Sequence, residues 1–177
     1  IDLTEDDLFS LADGTRNIVS GLEEPIELLF FYSVSATEDQ PQIRSYGTRV
    51  QELLREIVIA SGGNLVLSIV DPEPFSEEED LATQYGVQPV PVTQGGQGIY
   101  FGLVAVELDN EKDPALRVSE TMPLIRPDQE QFLEYEFMKL ISKVGDSDRQ
   151  IVGLLTELDI DGGFNPATGQ PSGSWLI

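Results

Sequence analysis

Residues 85–92 read YGVQPVPV. Ahead of them Ser76 is placed to cap a run of carboxylates, Glu77, Glu78, Glu79 and Asp80, and the helix this predicts runs through Tyr85 until Gly86 ends it. Behind them GIYFGLVAVEL (98–108) and LRVSETMPLI (116–125) read as strands, which DNEKDPA joins into an antiparallel hairpin. Val-Pro-Val thus stands between an acidic helix and a long apolar strand. A cis X-Pro bond costs only about 0.5–1 kcal/mol, so the isomer at Pro91 is open. Its role is open too: one lip of a peptide-binding groove, or a turn that merely starts a strand.

Further out, IELLFFYS (26–33) is an apolar, aromatic-rich run that reads as a strand buried on both faces. Ile43, Tyr46, Val50, Leu53, Leu54, Ile57 and Val58 recur at helical spacing, and Gly62-Gly63 supplies a left-handed stop. NLVLSIVD (64–71) reads as a second buried strand, and strand-helix-strand makes the two strands parallel. Pro72 and Pro74 then break the chain. At the far end Asp128 opens a helix with Phe132, Leu133, Phe137, Leu140, Ile141 and Val144 as its buried stripe. Before the first strand, Ser10 and Asp13 form an acidic variant of the capping box. They start a helix with Leu11, Thr15, Ile18, Val19 and Leu22 on one face and Pro25 beyond its stop.

The order β-α-β-α-β-β-α, a parallel half followed by an antiparallel hairpin, is thioredoxin-like. Two inserts depart from it: SVSATEDQP (33–41) delays the first crossover helix, and TQGGQ (93–97) separates Pro91 from its strand. The expected organisation is an N-terminal segment with one helix (1–25), a thioredoxin-like α/β domain with a mixed sheet (26–145), and a linker that starts a truncated second α/β domain (146–177). QIVGLLTEL (150–158) is read as the first strand of that second domain. A chain that begins at Ile1 and stops in FNPATGQPSGSWLI reads as a piece of something longer.

Composition removes whole chemistries. Without cysteine or histidine, the chain has no thiolate, no imidazole base, no Ser-His-Asp triad and no ordinary zinc site. Ser33, Val34 and Ser35 stand where the redox cysteines of a thioredoxin-like enzyme would lie. The 32 Asp+Glu against 10 Lys+Arg, a net charge of −22, argue against nucleic acid or anionic headgroups as partners. No apolar run approaches the length of a membrane span. Glu5-Asp6-Asp7, Glu23-Glu24, Glu77–Asp80 and Glu134/Glu136 sit on helix starts or solvated faces, where dipole and water account for them. Asp159-Ile160-Asp161-Gly162-Gly163 resembles the start of a calcium loop but lacks its downstream Glu, and is read as a turn. The glycine-rich GGNL and TQGGQG match neither phosphate-binding pattern. No catalytic residue, cofactor or metal is therefore expected. The candidate partner-binding groove comprises Ser33, Ser35, Gln88, Val90 and Pro91.

Taken together, several stretches resemble the GldG-like proteins, extracytoplasmic auxiliary components of ABC-type transport systems associated in some bacteria with gliding motility. The resemblance runs through IDLTEDDLFSLADGTRNIVSGLEEP (1–25), the aromatic strand 28–32, the helix 43–60 ending SGGN, IVDPEPFSEEED (69–80), YGVQPVP, IYFGLV (99–104) and FLEYEFMKLI (132–141). Ala12 departs from the small hydroxyl residue usual there. The resemblance implies that residues 1–25 are membrane-proximal and that an anchor outside this chain holds the domain on the periplasmic side of the inner membrane. It also implies a separately encoded permease and ATPase as partners, and it brings no catalytic residues. The alternative is a periplasmic receptor that binds a sugar or other solute between this domain and the missing one.

Overall fold

A computed structural model of the chain describes residues 10–91 and 98–146. By contact density the chain divides into two units, Ile1–Gly145 and Asp146–Ile177. The strand expected at 150–158 and the turn at 159–163 lie outside the described residues, as does Glu5-Asp6-Asp7.

The elements of the first unit are α1 (Asp13–Ser20), β1 (Ile26–Tyr32), α2 (Pro41–Ala60), β2 (Leu65–Val70), α3 (Glu77–Gln84), β3 (Pro89–Pro91), β4 (Gly98–Glu107), β5 (Ser119–Met122) and α4 (Leu133–Gly145). One mixed sheet runs β2-β1-β4, and beyond β4 its lower half pairs with β3 and its upper half with β5. β1 and β2 are parallel, as the crossover through α2 requires, and every other pairing is antiparallel. The fold is α/β and thioredoxin-like.

Alternation along β1 builds the two layers. Leu28, Phe30 and Tyr32 face a cluster with Val19 of α1, Leu53, Leu54 and Ile57 of α2, and Phe137 and Ile141 of α4. Leu29 and Phe31 face the other side, where Ala82 of α3, Val87, Tyr100 and Val104 meet them. The insert 33–41 becomes a short 3-10 turn, Ser35–Thr37, before Pro41 opens α2 at a position where its missing N–H costs nothing. Thr37 is buried and donates to the Val34 carbonyl at 2.9 Å, with its hydroxyl 3.2 Å from that of Tyr32. α2 lies so close to β1 that a Cβ on Gly47 would stand 2.5 Å from the Tyr32 ring.

Several expectations are corrected. β2 is not a buried strand: only Leu65 is buried, because among the described residues β2 is the rim of the sheet and has a neighbour on one side alone. Ser10 and Asp13 do not form a capping box; the N-cap is Ala12, with no side-chain cap of its own. Glu134 of α4 replaces the box, accepting from the Ala12 N–H at 2.8 Å and from the Thr15 hydroxyl at 2.6 Å. Ile18 and Phe132 are exposed. Phe132 closes a six-residue 3-10 stretch, Pro127–Phe132, whose tighter winding takes it out of phase with the stripe of α4. The second hairpin strand is only four residues long, since 114–116 turns as a 3-10 segment and Pro123 follows Met122.

Candidate functional site

A groove of about 480 Å³ opens where the first half of α2, β3, the start of β4 and residues 124–127 converge. Ile43, Tyr46, Val90, Pro91, Phe101 and Leu124 give it an apolar and aromatic wall. Its described lining includes no carboxylate, on a chain whose net charge is −22.

Tyr46 organises this wall. Its ring stacks on Phe101 with centroids 5.3 Å apart and planes 25° apart, and the Arg49 guanidinium lies 5.6 Å above its centroid. The hydroxyl donates to the Arg126 carbonyl at 3.1 Å. Burial, reinforced by the nearby Glu130 and opposed by Arg49, pushes the phenol up to about 12, so Tyr46 stays a neutral donor throughout the physiological range. Arg49 is held in place by Glu130, whose two oxygens accept from Nε at 2.7 Å and from Nη2 at 3.3 Å. That fork keeps the Glu130 carboxyl below its ordinary value and the guanidinium above its own.

The five residues singled out in the sequence separate. Val90 and Pro91 line the groove. Gln88 is exposed beside it and donates its backbone N–H to the Pro123 carbonyl at 3.2 Å. Ser33 is fully buried: its hydroxyl donates to the Pro72 carbonyl at 3.3 Å and accepts from the Tyr100 N–H at 3.0 Å. The position a redox thiol would hold is therefore a knot between β1, β4 and the turn after β2. Ser35 is exposed and both its hydroxyl and its N–H donate to Asp71 Oδ2, at 2.7 Å and 3.2 Å. It belongs to that turn and not to the groove.

Among the described residues no peptide bond is cis, and Pro91 ends a short strand of its own. Tyr100 turns both backbone groups to Ser33, accepting from its N–H at 3.1 Å as well as donating to its hydroxyl. Strand alternation then directs Ile99 to Val90 and leaves the backbones of Pro89 and Pro91 facing the outer rim. There the two prolines offer carbonyl acceptors and no N–H donor.

Ile43, Tyr46, Phe101 and Leu124 were not singled out as site residues. Tyr46 and Ile43 read correctly as the apolar face of a helix, and nothing local says that one end of that face stays open. The spacing of Tyr46 and Arg49, an aromatic with a guanidinium one turn on, was the available signal.

Two members of the acidic clusters, Glu79 and Glu134, accept hydrogen bonds from distant or capping groups. Glu79, in the first turn of α3 capped by Ser76, accepts from the Phe75 N–H at 2.8 Å and the Tyr100 hydroxyl at 3.2 Å. Burial and then Glu79 raise the Tyr100 phenol. Among the described residues no group of three or more acidic side chains is placed to hold a metal ion, and no helix is long and apolar enough to cross a membrane.

Fold and groove together define a thioredoxin-like domain that carries no thiol and presents an apolar cleft beside β3. Residues 5–106, more than half of the chain and reaching from before α1 almost to the end of β4, match the family described as Domain of unknown function (DUF7088). The chain belongs to that family. No curated protein and no solved structure matches it.

Proposed function

We propose that this chain is a non-enzymatic, extracytoplasmic interaction module of an accessory protein in an ABC-type transport system, of the GldG-like kind associated with gliding motility. The observation that carries the reading is the groove itself. On a chain rich in carboxylates, none is among the described lining of one aromatic-walled cleft, and that cleft includes Val90 and Pro91. Such a surface suits an apolar segment of a protein partner. Thiol and imidazole chemistry are absent from the composition, and the resemblance supplies the partners: a permease and an ATPase, with anchoring through segments outside this chain.

The test is purification of the full-length tagged protein from native membranes in mild detergent. Stoichiometric recovery of permease and ATPase is the expected result, with loss of both in Val90→Asp combined with Pro91→Ala while the domain still melts cooperatively. Recovery of neither from wild type, or full recovery with the double variant, overturns the reading.

A solute receptor is the second reading, since about 480 Å³ also falls in the range of small-ligand sites. A sugar or other solute at a hundredfold excess over Kd would then raise stability by about 2.7 kcal/mol. If no solute class shifts the melting of a longer, two-domain form of the protein, this alternative falls.

A further inference from the structure

The sheet has two rims of opposite construction. On one, Pro89 and Pro91 present no N–H, and the neighbouring β5 packs against α4. On the other stands β2, LVLSIV, with no proline and no charge. The Ile26 N–H donates to the Asn64 carbonyl at 2.9 Å, and alternation then turns the backbones of Leu65, Leu67 and Ile69 away from β1. The Leu65 N–H is taken by Ser61 Oγ at 3.0 Å. The amides of Leu67 and Ile69, and the carbonyls of all three, face no strand among the described residues. Val66 and Ile69 are 43% and 41% exposed. A row of donors and acceptors on an apolar, uncharged strand is a template for another strand, and proteins ordinarily blunt such an edge with Lys, Pro or a bulge.

We propose that β2 is a self-pairing edge: a second copy of the chain adds its own β2 antiparallel, about a two-fold axis at Leu67, and joins two five-stranded sheets into one. In that register Leu67 meets Leu67 of the second copy, and Ile69 is covered by Leu65. Charge selects the direction. Residues 61–80 contain no Lys or Arg, and their six carboxylates all lie from Asp71 onward, past the end of the strand. Antiparallel pairing sends the two acidic ends apart, whereas parallel pairing sets them side by side. What remains is long-range repulsion between two chains of −22, which salt screens over about 10 Å at 0.1 M. Association therefore strengthens with salt, the opposite of what a basic strand attracted by the same carboxylates would show. This inference does not depend on the groove or its partner.

The experiment is sedimentation equilibrium of the whole chain at about 0.05 and about 0.5 M NaCl, with a register test by cross-linking. Dimer is expected to grow with protein concentration and with salt. Ile69→Lys is expected to weaken it at least about tenfold without changing the melting profile; since lysine lowers the net negative charge, repulsion does not explain that loss. Because the chain has no cysteine, Val66→Cys mixed with Ser68→Cys reports register: the two positions oppose each other across the axis, so the mixed disulfide forms faster than either self-linked one. A monomer at both salts overturns the proposal. So does a dimer that ignores Ile69→Lys and shows no preference for the mixed disulfide, or an edge that protects its amides only with a basic peptide and loses it in salt.

Discussion

β1 and β2 read almost alike, IELLFFY and LVLSIV, and they pair side by side in register from Ile26 with Leu65 to Phe31 with Val70. Yet β1 is buried at every position but Glu27, whereas β2 is buried only at Leu65. The difference lies in neighbours. β1 has a strand on each side and a helix layer on each face, while among the described residues β2 has one neighbouring strand and a rim that none covers. An apolar run reports that a strand is fit for the interior and is silent on whether it reaches the centre.

Energetics should follow position and not composition. Phe30 is fully buried, edge-on to Phe101 at 5.4 Å and stacked with Tyr32 at 5.7 Å. Phe30→Ala is expected to cost about 3–5 kcal/mol in urea unfolding, enough to leave a marginal domain partly unfolded. Gly102, in the strand that flanks β1, comes next. A Cβ there would lie 2.9 Å from the Met122 carbonyl and 3.0 Å from that of Pro123, backbone atoms that cannot swing aside. Gly102→Ala is expected to cost about 2–3 kcal/mol by overpacking; a loss below about 0.5 kcal/mol would show that the seam between β3 and β5 is loosely fitted.

On the rim the effect should be small. Ile69→Thr removes little burial and retains β-branching, so under dilute, monomeric conditions it is expected to cost less than about 1 kcal/mol. A cost equal to that of Phe30→Ala would mean that β2 is covered even in the isolated chain and would end the contrast drawn here.

The smallest effect belongs to Arg49 and Glu130, both substantially exposed. A double-mutant cycle with Arg49→Ala and Glu130→Ala is expected to give a coupling of about 0.2–1 kcal/mol, reduced by salt. Its pH dependence has a definite sign. Because the folded Glu130 carboxyl titrates below its ordinary value, the contribution is fully present above the ordinary glutamate range and is lost as pH falls through the lowered folded value. Coupling that grows on acidification would contradict the fork between these side chains.

Local signals located the main elements well. Glycine at positive φ ends α2 through Gly62 and Gly63 and follows α3 at Gly86, and Ser76 accepts from the Glu79 N–H at 3.2 Å as the first turn of α3. Expectations failed where a partner remote in the chain or a local change of winding intervened. Ser10 looked like half of a capping box, but Glu134, more than a hundred residues away, takes that role. Phe132 continued an apolar stripe on paper, but the helix winds differently there. Of the candidate site, Val90 and Pro91 were legible because proline marks a special strand, whereas Ser33, read as part of the groove, is enclosed by Pro72 and Tyr100.

Composition and short-range pattern alone settled the parallel βαβ half, the antiparallel hairpin, the absence of thiol and imidazole chemistry and the strongly acidic charge. These depend on residue identity and on contacts within a few turns of chain. Only the folded chain decided that β2 is a rim, that the two prolines of β3 face outward, and that Tyr46, Phe101 and Leu124 meet Val90 and Pro91 around an open cleft. Burial and cavities arise from how elements distant in sequence close over one another, and an apolar side chain is equally suited to the centre of a sheet, its edge or the wall of a groove.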